Sequence, residues 1–154
     1  MSNQPHTQPR LEYWKAAPEA MKAMLALENT VRAAGIDKTL LEFIKLRTSQ
    51  INGCAYCVNM HHSDARKNGE TDQRLALLPF WHEVDIYTEK EKAVLRWVEA
   101  LTTLPGGGVS EEDFTEIRAH FTEAEVTWIT LATATINMWN RFGVGFQIPL
   151  GYGG

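Results

Sequence analysis

The sequence predicts an all-α fold, a single-domain helical bundle of six to seven helices, from three observations. Apolar residues recur three and four apart through most of the 154 residues, the spacing that lines one face of a helix. No stretch of any length alternates apolar and polar residues as a half-buried strand would. Two segments, Thr88-Glu-Lys-Glu91 and Thr122-Glu-Ala-Glu125, carry the capping-box pattern, in which hydroxyl and carboxylate satisfy the free backbone donors of a helix start reciprocally.

Taken in order, residues 1–12 are polar, include Pro5 and Pro9, and read as a flexible arm; residues 13–154 read as the helical domain. Pro18 suits a first helical turn, and Met21, Met24, Leu25, Glu28 and Val31 follow at helical spacing toward a stop at Gly35. Asp37 is positioned to cap a second helix with the stripe Leu40, Leu41, Ile44, Thr48 and Ile51, ended by the turn signal Asn52-Gly53. A third helix is expected from Cys54 to Asn68, closed by Gly69. Thr71 caps a short helix with Leu75, Leu77, Leu78 and Trp81. The Thr88 box opens a helix burying Ala93, Val94, Trp97, Val98 and Leu101. Leu104-Pro-Gly-Gly-Gly-Val109 can only be a loop, since three successive glycines have no place inside an element. Ser110 caps the next helix. The Thr122 box opens a long last one with Val126, Ile129, Ala132, Thr133, Ile136 and Trp139, which Gly143 and Gly145 end.

Composition narrows the function classes. Hydrophobic content of 44% and charged content of 22% are ordinary for a globular chain. A formal charge of -4 with scattered Lys and Arg argues against nucleic-acid binding, which needs a basic face. There is no apolar run of membrane-spanning length and no apolar signal-peptide segment, so the expectation is a cytoplasmic protein without membrane contact. Thiols are kept reduced there. A closely spaced cysteine pair is then catalytic or metal-binding rather than a structural staple.

Both cysteines fall in one stretch. If Cys54 opens a helix, Cys57 and His61 lie three and seven residues on and share a face. The Asn52-Gly53 turn folds the preceding helix back alongside, bringing Glu42 to within roughly one turn of the level of His61. A carboxylate bonded to the imidazole would fix its tautomer and raise its basicity toward a thiol. Cys54, near a helix N-terminus, has the dipole to favour its thiolate. Cys57 has His61 one turn away to take its proton. The dipole favours Cys54 as nucleophile and the relay favours Cys57. A thiolate oxidised by peroxide to a sulfenic acid is converted to a disulfide by a second thiol nearby, and an external dithiol must then reduce it.

The pattern Glu-x11-Cys-x2-Cys-x3-His, as Glu42, Cys54, Cys57 and His61, resembles the core motif of the alkyl hydroperoxidase D-like branch of the carboxymuconolactone decarboxylase superfamily. The flanks Leu46-Arg-Thr-Ser-Gln-Ile-Asn-Gly53 and His61-His-Ser-Asp-Ala-Arg-Lys-Asn-Gly-Glu-Thr71 resemble its single-domain members. The resemblance covers residues 20–105 closely and the remainder more loosely. It implies an all-helical homo-oligomer, a trimer or hexamer, with peroxidase and disulfide reductase activity that needs no cofactor. It also implies a hydroperoxide substrate and a dithiol or thioredoxin-like reductant as partners. By that resemblance Cys57 is peroxidatic, Cys54 resolving, and Glu42 and His61 the proton relay. One departure stands out: the best-studied members of that branch carry a second histidine just before the second cysteine, where this chain has Tyr56. Decarboxylase members lack the cysteine pair.

Plainer readings exist for each residue. The cysteines could be inert core residues, or Cys54, Cys57, His61 and Glu42 could surround zinc, although structural zinc sites usually draw ligand pairs from separate elements. The cysteines could also report redox state to a partner without turnover. His62 lies about 100° round the helix from His61 and reads as a solvated or interface residue. His6, His82 and His120 read as surface residues. Tyr56 reads as a packing aromatic. Trp128, Trp139, Phe142 and Phe146 suit either a subunit interface or helix core.

Overall fold

A computed structural model of the chain describes residues 7–104, 106 and 108–153. Among them every regular element is helical: α1 (Tyr13–Ala16), α2 (Pro18–Ala33), α3 (Lys38–Ile51), α4 (Ala55–Lys67), α5 (Asp72–Ala76), a 3-10 turn (Leu78–Phe80), α6 (Glu89–Thr103), α7 (Glu111–His120) and α8 (Glu123–Gly145). The single turn α1 has no counterpart in the sequence pattern, the short helix expected after Thr71 divides into α5 and the 3-10 turn, and Trp81 falls just beyond that turn rather than inside a helix.

The helix starts are built as the local chemistry dictates. Asp37 accepts from the backbone N–H groups of Thr39 and Leu40 at 2.9 and 3.2 Å. Thr71 and Ser110 cap α5 and α7 in the same manner. Both capping boxes close completely, Thr88 with Glu91 and Thr122 with Glu125. The Leu104–Val109 break separates α6 from α7; its Pro105 and Gly107 lie outside the described residues, as does His6.

Helix α3 is the centre of the bundle, packed against α4, α6 and α8. From Leu41 to Ser49 it is buried on almost every side, so its apolar surface is broader than one stripe. Leu41 and Ile44 join Val94, Val98, Ile117, Ile129, Ala132 and Ile136 in the main core. Phe43 and Leu46 enter a second cluster with Ala65, Leu75, Leu78, Trp81, Tyr87 and Leu95. The third cluster forms where α1 and α2 meet the end of α8: Tyr13, Met21 and Met24 pack on Trp139, Phe142 and Phe146. Three of the four C-terminal aromatics named above thus pack within the chain. Arg10 ties the preceding segment to the same place, its backbone N–H donating to the Phe146 carbonyl at 2.8 Å.

Candidate active site

The position of both cysteines follows from how α3 ends. Gly53 takes a left-handed φ of +67°, which glycine adopts without strain. Its N–H then donates to the Gln50 carbonyl and that of Cys54 to the Ser49 carbonyl, the paired bonds of a Schellman motif. The chain reverses at once. Cys54 becomes the N-cap of α4 in extended conformation, and its sulfur accepts from the Cys57 N–H at 3.3 Å. The helix therefore starts at Ala55, one residue later than the spacing predicts. Cys54 and Cys57 are joined as a disulfide.

The reversal also delivers Glu42 to His61. Glu42 Oε2 lies 3.4 Å from His61 Nδ1, and the residues are only 4% and 2% exposed. Neither atom has a hydrogen-bond partner among the described residues, so the two buried groups face each other just beyond ordinary hydrogen-bond length. With Nδ1 turned to the carboxylate, the rest of the imidazole lines a cleft beside Cys57.

That cleft encloses about 210 Å³ between α1, α2, α4 and α8. Its walls are mainly apolar and aromatic: Trp14, Met60, Ile136, Trp139, Phe142 and Ile148. Tyr56 also lines it and donates its hydroxyl to the Tyr152 carbonyl at 3.2 Å, which anchors the C-terminal segment at the cleft edge. The remaining rim is ionic. Glu28 and Arg32 of α2 line the cleft, and Lys45 of α3 reaches Glu28 from inside. Lys45 is 1% exposed, and Glu28 is its ion-pair partner among the described residues. Arg32 Nε adds a second bond to the same carboxylate oxygen at 2.7 Å. Burial works to push the Glu28 carboxyl up, but hydrogen bonds and charge from Lys45 and Arg32 outweigh it and hold the group below the usual glutamate range.

Two further features were not legible as site residues. Of the two glycines expected to end α8, Gly145 is its last residue and Gly143 lies inside it. The role of Gly143 is proximity: a Cβ at 143 would fall 2.4 Å from Cys54 Sγ and 3.1 Å from Cys57 Sγ, so only glycine lets α8 cover the disulfide. Beside it, Asn140 donates to Ser49 Oγ at 3.0 Å and accepts from Asn52 at 2.9 Å, which locks α8 to the turn that carries Cys54. Glu28 had a signal, since it falls on the inward stripe of α2 with Met24 and Val31. Arg32, Lys45 and Asn140 had none that one sequence reveals.

The other sequence candidates sit apart. His62 is half-buried on α4. His82 stacks on Trp81 and lies 3.7 Å from Glu99, and His120 lies 3.4 Å from Glu116. Among the described residues, the donors that could converge on a metal are those of Glu42, His61 and Asp64, within 4.8 Å of one another. That set contains neither cysteine, whose sulfurs are bonded to each other. No helix among the described residues is long and apolar enough to cross a membrane.

The chain is similar in sequence and in fold to known proteins. The model of the Carboxymuconolactone decarboxylase family matches residues 18–100. The uncharacterised Bacillus subtilis protein YdfG is 42% identical over 135 residues, 88% of this chain and 92% of that one. A crystal structure from Agrobacterium tumefaciens, of a protein of unknown function with a suggested antioxidant-defence role as AhpD, superposes with a TM-score of 0.90. It is 43% identical and matches 95% of this chain and all of that one. The debrominase Bmp8 shares the fold, with a TM-score of 0.76 at 20% identity over 88% of this chain and 73% of its own.

Proposed function

From membership of the carboxymuconolactone decarboxylase family, to which this chain belongs, we propose that it is a peroxidase of the AhpD type that reduces organic hydroperoxides through Cys57 and Cys54. The observation that carries this reading is the shared cleft: Cys57 and His61 line one apolar pocket, with Glu42 buried behind the imidazole.

In the dithiol state His61 takes the Cys57 proton, and its charge is balanced by Glu42. The thiolate attacks the terminal oxygen of the hydroperoxide. The O–O bond breaks, the alkoxide leaves with the proton held on His61, and Cys57 becomes a sulfenic acid. Cys54, three residues away at the helix N-terminus, then attacks Cys57 Sγ as its thiolate. The hydroxyl departs, is protonated to water, and the Cys54–Cys57 disulfide forms. An external dithiol of the thioredoxin kind reduces it, and is itself oxidised to a disulfide, returning two protons and two electrons to the pair. The hydrophobic walls exclude water from the sulfenate and hold the organic part of the substrate.

A second reading, disulfide exchange with a partner protein and little peroxide turnover, draws on Tyr56. Its hydroxyl donates to the Tyr152 carbonyl, so it supplies no second base at the position where the best-studied members of the resembled branch have histidine.

The test is a pair of variants under cumene hydroperoxide with a sulfenate-trapping reagent. Cys54→Ser should accumulate a trapped sulfenate on Cys57, while Cys57→Ser stays inert, and the wild type should turn over steadily with a dithiol. A sulfenate on Cys54 in the Cys57→Ser variant would reverse the assignment. Disulfide formation without turnover would favour the exchange reading.

A further inference from the structure

The same cleft carries a charge that the peroxidase chemistry does not use. Its ionic rim holds Glu28 and Arg32, and Lys45, which does not line the cleft, pairs with Glu28 from behind. Lys45 is enclosed by protein and reaches Glu28 from the inner side, so Glu28 compensates a charge that cannot reach solvent. Arg32 is the outer cation, with a side chain 47% exposed. Only its Nε is engaged; the terminal Nη1 and Nη2 atoms make no hydrogen bond among the described residues. The remaining carboxylate of the site, Glu42, faces His61 Nδ1 at 3.4 Å and is not among the cleft-lining residues. The cation at the cleft rim is therefore a guanidinium that shares its carboxylate with Lys45 and whose two-pronged end makes no bond among the described residues, the geometry that matches a second carboxylate.

The size of the apolar part sets the other half of the ligand. An apolar cavity of about 150 Å³ accommodates benzene, and this cleft encloses about 210 Å³ walled by Trp14, Trp139, Phe142 and Ile148. It suits one substituted ring or a short branched alkyl group.

We propose that the cleft selects small aromatic or branched-alkyl compounds bearing a carboxylate, with Arg32 as the carboxylate's anchor. This rests on the reading of Cys57 as the reacting atom and adds the class of hydroperoxide brought to it: one whose anionic end docks on α2 while its apolar body fills the cleft.

The test separates binding from catalysis. 4-Isopropylbenzoate and its neutral isostere 4-isopropylbenzamide are titrated calorimetrically into the oxidised wild-type protein. The benzoate should bind about ten-fold tighter or more, as a charge-assisted pair requires. That ratio should fall to near one in Arg32→Gln and be partly restored in Arg32→Lys, which keeps the charge without the fork. Equal binding of both compounds by the wild type, binding of neither, or a ratio that persists in Arg32→Gln overturns the proposal. The wild-type comparison depends on no variant folding. The titration involves no thiol chemistry, so benzoate preference in a protein that never turns over hydroperoxide would remove the peroxidase reading and leave the anion site standing.

Discussion

Gly143 and Cys54 approach so closely that one methyl group would not fit between them. The missing Cβ would lie 2.4 Å from the cysteine sulfur, well inside van der Waals contact. The α8 backbone thus forms one wall around the Cys54–Cys57 disulfide.

Gly143→Ala should therefore act on the oxidised protein in particular. Overpacking a buried contact costs about 1–3 kcal/mol, and the added methyl meets both sulfurs where they are bonded. Thermal denaturation should show a larger loss for the oxidised than for the reduced variant. Equilibration against a glutathione buffer should show the variant more readily reduced than wild type. Equal losses in both states would mean that the glycine is needed for helix packing alone.

Glu42 and His61 should be separable from the fold. His61→Ala is expected to slow peroxide-driven oxidation of the reduced protein by about 10²–10⁴, the usual scale of general acid–base catalysis. Glu42→Gln should slow it less, because the imidazole remains but loses its counter-charge. Stopped-flow tryptophan fluorescence would follow the oxidation, and far-ultraviolet circular dichroism would check the helices. Unchanged rates in both variants would remove the relay.

The Glu28–Lys45–Arg32 cluster should make stability sensitive to acid. Because the folded state holds the Glu28 carboxyl below its ordinary value, the unfolded chain binds more protons in the acid range. The contribution is fully present above the ordinary glutamate range and is lost as the pH falls through the lower folded-state value. The thermal midpoint of the wild type should fall from about pH 6 to about pH 3, and more steeply than that of Glu28→Gln. At neutral pH that variant should already be less stable by about 3 kcal/mol, since it leaves Lys45 buried without a counter-charge. Parallel pH profiles would contradict this account.

The elements were legible because their signals are local. Asp37, Thr71, Thr88, Ser110 and Thr122 cap helices through bonds that span two or three residues, and the sequence shows both partners at once. The juxtaposition of Glu42 with His61 was legible for a similar reason, since a tight turn and a fixed rise per residue determine which levels of a hairpin meet. Gly145 ends α8 as its position suggests, whereas the packing role of Gly143 is hidden because glycine near the end of an apolar helix is locally indistinguishable from a terminator. Lys45 was missed because, between Ile44 and Leu46, a lysine normally marks the solvated side.

What the sequence determined by itself is the all-helical class, the family, and the hairpin that aligns two thiols, an imidazole and a carboxylate, because each depends on residues near one another in the chain. Only the tertiary structure decided what surrounds them. Asn140 meets Ser49 across 91 residues, Gly143 covers the disulfide from the last helix, and Glu28 and Arg32 close the cleft from another. Those contacts depend on how α2 and α8 dock on α3, a sum of many small packing terms that no short pattern encodes.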